Sequence, residues 1–562
     1  MKTLHLFPIR LVASACLCLM STQLALAQTA GDVQRSVEQN LNNLNRAAPK
    51  APTKRPVAPA TTDQGFARLK EIKVNSPLFQ DELMAYWLSE INKPVPAQKL
   101  ADFKAFAWEL FQSKGYLAYI NTSAQPTPEG SVLTVSVAFP QVGKVSVVTV
   151  DGNKGKEYAD EVARRFTAIY KTGTPVDVQG FENQLNAAAY DLPVDLEVSM
   201  RQVNEKVVDV VINLRPAEHK AGSVLGGVVQ ANNYGLDQFG REQVLASVRL
   251  AGVTPLSELR LTTQQSKGVG YYAADYSAPI IGHSMRWNVF GSQVNSEAIN
   301  AKVKGKSEEL GAGLTKRLST DRNGSWYATS EATRRQSLNS TSGLETQNRV
   351  DQQLRFKLRA ESAKSWVDSF TNEFVLTTGN INLDRNADDK LADMTDGGSN
   401  VAGHYQKLEM NGGLSQALDK ERIYTGSIRW RAQVASKNLD TYNRISLGGV
   451  NGIRAYSSTE GVGDQGAQMS FDIIHQVVPD VYGGLFYDIG VVKNNRNGLL
   501  GATSNPGYYT LQAVGWQIGG KIGQINWSAY VAHAIGSTPS DWLSTNTQTG
   551  DYRGNVALTY AF

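Results

Sequence analysis

Gln353-Leu354-Arg355-Phe356-Lys357-Leu358-Arg359-Ala360 alternates without a break: the even positions are apolar and the odd positions are polar or cationic. Successive side chains of a strand leave on opposite sides, so this octapeptide presents one apolar and one charged face. Ser427 to Val434 repeats the pattern, with Ile428, Trp430, Ala432 and Val434 set against Ser427, Arg429, Arg431 and Gln433. Soluble sandwiches alternate as well, so one strand does not decide whether water or lipid meets the apolar face.

The surrounding chain points to lipid. Sixteen candidate strands can be marked from Ala221 to the C-terminus, an even number within the range of bacterial outer-membrane barrels. Their connections alternate between short, as at Val253 to Leu256 and Asp419 to Lys420, and long, as at Asp384 to Ala402 and Ser436 to Gln465. The last strand ends on Val556, Leu558, Tyr560 and Phe562, and Tyr560 with the terminal Phe562 reads as a C-terminal assembly signal. No stretch after the first 27 residues approaches an uninterrupted apolar helix span, whereas alternating strands are compatible with the negative mean hydropathy. The expected fold is therefore a 16-stranded antiparallel transmembrane β-barrel over residues 218–562. Its charged faces should line the lumen, because Arg or Lys facing lipid at mid-depth costs about 2 to 4 kcal/mol. A barrel of this size encloses a channel rather than a packed core. Trp287, Trp326 and Tyr327 are candidates for the aromatic belts at the membrane interfaces.

Upstream of the barrel the texture changes. Residues 1–27 have the parts of a secretory signal: Lys2 and Arg10, the apolar run Leu11 to Met20, and Ala25-Leu26-Ala27. The chain has only 2 Cys, Cys16 and Cys18, both inside that segment. Its removal leaves no thiol, which excludes disulfides, a cysteine metal cluster and a cysteine nucleophile. Within residues 28–46, Val33, Val37, Leu41 and Leu44 recur at helical spacing with Asp32 in the first turn, which reads as a short amphipathic helix or a disordered tail. Residues 47–64 carry Pro49, Pro52, Pro56 and Pro59 and read as an extended linker. Residues 65–140 and 141–217 each follow the order strand, two helices, two strands, an internal duplication at the level of pattern. In the first, Leu100, Phe103, Phe106, Ala107 and Leu110 form a helical stripe, followed by strands at Tyr116 to Ile120 and Val132 to Phe139. In the second, Val208, Val210, Ile212 and Leu214 form one face of the final strand.

Several segments resemble the transporter family of two-partner secretion (TpsB, with ShlB/FhaC/HecB-like haemolysin and adhesin secretion proteins), within the outer-membrane-protein-assembly superfamily. Lys114-Gly115-Tyr116, Glu129 to Leu133 and Gly143-Lys144-Val145 are similar to the end of its first polypeptide-transport-associated (POTRA) domain and the start of its second. Tyr190-Asp191-Leu192-Pro193 is similar to a second-domain signature, with Val194 where the family usually has glycine. Asn232 to Gly235 with Gly240-Arg241 resembles the first barrel hairpin, and Tyr276 to Pro279 the end of the fourth strand. Leu447 to Gly466 resembles the family's Val-Arg-Gly-Tyr loop through Ile453-Arg454-Ala455-Tyr456, with Ala455 replacing the usual glycine. Phe486, Asp488 and Gly490 resemble the Phe-x-Asp strand motif that partners the loop arginine.

The resemblance implies an outer-membrane translocation pore with periplasmic POTRA domains. It implies that loop 437–465 folds into the lumen with Arg454 against Asp488, and that the helix bearing Val33, Val37, Leu41 and Leu44 plugs the resting pore. The implied partner is an unfolded secreted exoprotein of haemolysin, adhesin or toxin type with an N-terminal secretion domain. Outer-membrane lipids, the barrel-assembly machinery and periplasmic chaperones would serve its biogenesis. No cofactor and no catalytic residues are implied.

Other classes are weaker. The net charge of +4 is small and dispersed, which argues against nucleic acid. Gly461 to Gly466 spells a dinucleotide fingerprint but opens no helix. The six histidines are scattered and lack metal-ligand spacing, so no metal site is expected. Asp388, Asp389, Asp393 and Asp396 do not have calcium-loop spacing and read as a solvated loop. A barrel hydrolase would need a nucleophile elbow that the sequence lacks. A passive porin would not need the modules before the barrel. The alternative is an insertase of the same superfamily, which usually has more POTRA domains and no plug helix or linker.

Overall fold

The computed structural model describes residues 30–44, 65–149, 156–169, 173, 175–204, 206–216, 225–321, 324–364, 367–536 and 547–562. The signal segment and the proline-rich stretch lie outside them. Helix α1 (Ala30–Leu44) comes first.

The first module contains β1 (Leu69–Asn75), α2 (Gln80–Leu88), α3 (Ala97–Ser113), β2 (Tyr119–Thr127) and β3 (Gly130–Ala138), with sheet order β1-β3-β2. Leu100, Phe103, Ala107 and Phe111 of α3 are buried and pack over Leu133 and Val135 of the central strand. The strand expected over Tyr116 to Ile120 begins only at Tyr119. Gly115, at φ 86°, turns the chain out of α3, and the Tyr116 N–H returns to the Phe111 carbonyl at 2.9 Å. Those residues complete the helix cap instead of extending a ladder. β2 then runs on through Pro126, a residue that an edge strand accommodates because one side needs no donor.

The second module repeats the layout with β4 (Gln141–Thr149), α4 (Lys156–Ile169), α5 (Val178–Asp191), β5 (Val194–Asn204) and β6 (Val207–Pro216), in sheet order β4-β6-β5. Val208, Val210, Ile212 and Leu214 of the central strand are fully buried. Asp177 caps α5 by accepting the Gly180 N–H at 2.9 Å.

Sixteen antiparallel strands close the barrel. They are β7 (Leu225–Asn232), β8 (Gln243–Ala251), β9 (Glu258–Ser266), β10 (Val269–Ile280), β11 (Met285–Glu297), β12 (Val303–Asp321), β13 (Gly324–Thr341), β14 (Leu344–Lys364), β15 (Val367–Asn382), β16 (Gly403–Ala417) and β17 (Tyr424–Ala435). The long loop carries the short strands β18 (Ile445–Ser446) and β19 (Val462–Gly463), and after it follow β20 (Gln465–Val478), β21 (Val481–Lys493), β22 (Tyr509–Ile522), β23 (Ile525–Ile535) and β24 (Tyr552–Ala561). Leu354, Phe356 and Leu358 face outward. The lumen side carries cross-strand ion pairs such as Arg335–Glu309 at 2.9 Å and Lys357–Glu331 at 2.7 Å, which compensate charges that the wall screens from bulk water. The seam joins β24 to β7, where Gly227 and Phe562 exchange backbone hydrogen bonds of 2.9 and 3.0 Å.

Two local expectations are corrected. Trp287 and Trp326 are exposed on the outside. Tyr327 instead lies near Tyr190 of the second module, ring centroids 6.3 Å apart, because adjacent strand residues take opposite faces. The acidic stretch in the loop between β15 and β16 forms helix α6 (Ala387–Met394), with Asp389 and Asp393 buried rather than solvated. Asp389 accepts Arg349 Nε and Nη2 at 2.8 and 2.6 Å, and Asp393 accepts the backbone N–H groups of Val401 and Ala402 at 2.9 and 3.0 Å. Helical spacing of i, i+4 puts these two carboxylates on the inner side and leaves Asp388 exposed; Asp396, beyond the helix end, is exposed as well.

Candidate functional site

The connection between β17 and β20 folds back into the barrel. Its arms pair through two short strands, β18 (Ile445–Ser446) and β19 (Val462–Gly463). Ile453, Arg454, Ala455 and Tyr456 at its tip are all buried. The Arg454 guanidinium meets the Asp488 carboxylate through Nε at 2.9 Å and Nη2 at 2.7 Å, and the Arg454 backbone N–H adds a third bond at 3.0 Å. The planar fork suits two parallel bonds to one carboxylate. Phe486 lies under the guanidinium, with the Arg454 Cζ 3.4 Å from the ring centroid, so the cation is covered by a π face as well. Ala at position 455 causes no backbone strain, since left-handed conformation in this segment falls on Gly449 and Gly461. Gly490 lets the loop approach closely: a Cβ there would lie 3.0 Å from both Ile453 Cδ1 and Leu447 Cδ1, and those side chains would have to shift to admit it. These contacts continue into an apolar cluster of Leu447, Ile453, Tyr456 and Phe486 with Leu511 and Ala532 of the wall.

Two further carboxylates belong to this site and were not singled out in the sequence. Asp472 of β20 accepts Arg454 Nη1 at 2.7 Å and Arg429 Nη2 at 3.2 Å, so Arg454 bridges two strands of the wall. Alternation puts Asp472 on the same face as Gln468 and Ser470, but not at the depth of Arg454. Asp464 sits inside the glycine-rich string that mimics a nucleotide fingerprint. It is fully buried at the loop base, accepts the Leu439 N–H at 3.0 Å and the Arg496 N–H at 2.8 Å, and is ion-paired with Arg444, whose Nε lies 3.1 Å away. Both arms of the loop, and the neighbouring loop at Arg496, converge on this one carboxylate.

Helix α1 lies inside the barrel, between its wall and the folded loop. Val33 and Val37 are buried against Phe239, Tyr271 and Val294. The Ala30 N–H donates to Asn339 Oδ1 at 2.8 Å, and Gln34 bonds with Ser307 and Glu309 of β12. On the loop side Ser36 meets the Ser458 hydroxyl at 2.7 Å, Tyr442 donates to Glu38, and Arg35 donates to the Thr441 carbonyl. Leu41 and Leu44 lie on the second half of α1, where side chains are outside the described residues.

The second module docks on the turn side of the barrel through α5. Arg165 grips Asp191 at 2.9 and 2.7 Å, and Asp191, fully buried, also accepts the Ser284 N–H from the β10–β11 turn at 2.6 Å. The neighbouring Tyr190 ring faces Arg317 and Arg286 of the barrel, 4.7 and 5.8 Å away.

Known proteins agree with this architecture. No curated protein matches the chain by sequence. CdiB from Acinetobacter baumannii has a similar structure at 14% identity, with a TM-score of 0.60 and coverage of 95% of this chain and 99% of that one. CdiB from Escherichia coli is similar at 16% identity, TM-score 0.57, over 95% and 99%. BamA from Haemophilus ducreyi lacking POTRA domains 1-3 is similar at 10% identity, TM-score 0.50, over 88% of this chain and 100% of that one. At such identities the likeness is one of fold. Residues 210–519, from β6 into β22, match the model of the haemolysin secretion/activation protein ShlB/FhaC/HecB. With that match over more than half of its length, the chain belongs to the ShlB/FhaC/HecB family of outer-membrane secretion pores.

Proposed function

We propose that this protein exports an unfolded exoprotein carrying an N-terminal secretion domain, and that Arg454, Asp488 and Asp472 hold the lumen loop in its resting place. The carrying observation is the three-bond clasp of Arg454 on Asp488 deep in the barrel. The clasp anchors the tip of the loop while Asp464 holds its base separately, so breaking the clasp loosens the tip and leaves the base attached. Helix α1 is the plug, because it shares partners with both the wall and the loop. The POTRA domains receive the exoprotein by strand addition at β2 and β5, each an edge of its sheet. No nucleotide motif is evident in the sequence, so folding of the chain outside the cell supplies the direction. The barrel-assembly machinery, periplasmic chaperones and outer-membrane lipids act in the pore's own biogenesis.

The test is export of a candidate exoprotein by the intact chain, a POTRA deletion and Arg454→Ala, with barrel folding checked by heat-modifiable gel mobility. Folded variants that leave the exoprotein in the periplasm support the proposal. Unimpaired export, together with failed assembly of other barrels in a null strain, replaces it with an insertase.

A further inference from the structure

We infer that the outer wall of β8–β13 carries a binding site for a phosphorylated, acylated amino-sugar lipid of the outer leaflet. The inference rests on the outer-membrane location and is independent of what the pore transports.

Two open hollows lie one above the other on this wall. The lower, about 500 Å³, is lined by Val248, Leu261, Ala274 and Gly291, with Ala246 and Tyr272 above them. The upper, about 510 Å³, is lined by Gln265, Gly270, Asn295, Lys267, Lys304 and Lys306. Strand register makes them continuous. Gln265, Gly270, Asn295 and Lys306 are paired across β9–β12 in one row. Thr263, Tyr272 and Gln293 form the next row, and Leu261, Ala274, Gly291 and Leu310 the one after. Successive outward positions are about 6.7 Å apart along a strand, so the rows from Lys304 down to Gly291 span about 20 Å. That is the length of a sugar headgroup and the upper part of its acyl chains.

The chemistry changes along the groove in the same sense as in such a lipid. Small residues, Ala246, Ala274 and Gly291, recess the apolar end between Tyr272 and the exposed Leu310. At the loop end, on the side of the barrel away from the POTRA domains, Lys267, Lys302, Lys304 and Lys306 outnumber Glu297 and Glu308. The Lys304–Glu297 and Lys306–Glu308 pairs, 3.0 and 2.6 Å long, are about half exposed on both sides. Pairs of that kind are weak, so a phosphate can take the ammonium groups from them. Between the lysines and the apolar end stand the carboxamides of Gln265, Asn295 and Gln293, which both donate and accept, as hydroxyls and amide links of an amino sugar require. Gln293 donates to Asn295 Oδ1 at 3.3 Å and Gln265 to Thr263 Oγ1 at 3.1 Å, so this polar row is already ordered along the groove and a sugar headgroup can add to it.

Gly291 supplies a variant that fills the groove without straining the barrel: its φ is not left-handed, and an added Cβ would come no closer than 3.4 Å to any atom. The experiment is native mass spectrometry of the full chain in detergent, loaded with lipid A, dephosphorylated lipid A or phosphatidylglycerol. Wild type should retain a lipid A adduct that phosphatidylglycerol does not displace, and should bind the dephosphorylated form at least tenfold more weakly. Lys267→Gln/Lys304→Gln/Lys306→Gln and Gly291→Leu should each reduce retention about tenfold, and the matching triple Arg variant should restore it. Heat-modifiable mobility verifies that each variant is folded, and the charge and groove variants decide independently. Equal retention by wild type and both folded variants, or equal binding of phosphatidylglycerol, would overturn the assignment.

Discussion

Arg454 holds Asp488 with its side chain and its backbone together, at 2.9, 2.7 and 3.0 Å, so the position of the loop backbone is tied to the same carboxylate that neutralises the cation. Removing one partner of a buried pair typically costs about 3 to 5 kcal/mol. Asp488→Asn should therefore release the loop while leaving a heat-modifiable barrel. Limited proteolysis on intact cells should cut within residues 437–465, and export should fall at least tenfold. Arg454→Lys, which lacks the fork, should fall between wild type and Asp488→Asn. A protected loop in Asp488→Asn would remove the clasp from the mechanism.

The plug is predicted to leave when its apolar side is charged. Val33 and Val37 face Phe239 and Val294, and an unpaired carboxylate placed among them costs several kcal/mol. Val33→Asp/Val37→Asp should raise the open fraction of single channels in planar bilayers several-fold. Unchanged conductance would mean that α1 does not occlude the pore.

POTRA orientation depends on Asp191, which joins Arg165 to the β10–β11 turn. Asp191→Asn keeps the shape but weakens the charge-assisted bonds, by roughly 1 to 2 kcal/mol each. Spin labels on α5 and on that turn should show a narrow distance distribution in wild type and a broad one in the variant. An equally narrow distribution in both would assign the clasp no positioning role.

The same helix pair sets a pH dependence. Hydrogen bonding from Arg164 and then Arg165 holds the Glu161 carboxyl below the usual carboxylate range. A lowered folded value means that this contribution is fully present above the unfolded value, about 4.3, and is lost as pH falls through the folded one. Protease resistance of the POTRA region in the full chain should thus drop between about pH 4.3 and lower values. Glu161→Gln should flatten that part of the profile, and an unaltered profile in the variant would refute the assignment.

Barrel closure is predicted to depend on the Gly227–Phe562 seam. A Cβ at Gly227 would come within 2.7 Å of both the Phe562 ring and the Ser247 carbonyl. Gly227→Val should lower the heat-modifiable fraction in the outer membrane several-fold, and Phe562→Ser should do so by removing the terminal aromatic. Full assembly of both variants would refute a role in closure for the seam and for the terminal aromatic alike.

Different parts of this protein were legible to different degrees. Gln353 to Ala360 is sufficient to assign a face to every side chain in it, because the period of a strand is two and its sides meet different media. The same rule reads Val208 to Leu214 as the buried centre of a soluble sheet. Arg454 and Asp488 stand out only through resemblance to a family, since the lumen carries many other charges. Asp472 passes unnoticed and Asp464 is read only as part of a glycine-rich string: alternation gives a direction, not a depth or a partner. The Tyr116 turn, the helix around Asp389 and the inward Tyr327 are misread because a local pattern does not include the cap, the arginine or the docked module that each residue meets.

The sequence by itself determined the periodic features: the number of barrel strands, the repeated module and the amphipathic stripe of α1. Each of these depends on neighbours a few residues away and on the medium outside. Only the tertiary structure decided that Arg454 takes Asp472 as a second carboxylate, that Asp464 gathers the base of the loop, and that Tyr190 and Asp191 lock a module to the barrel. Those pairings join residues far apart in sequence, and a buried charge is tolerated only where the whole fold brings its partners within hydrogen-bond distance.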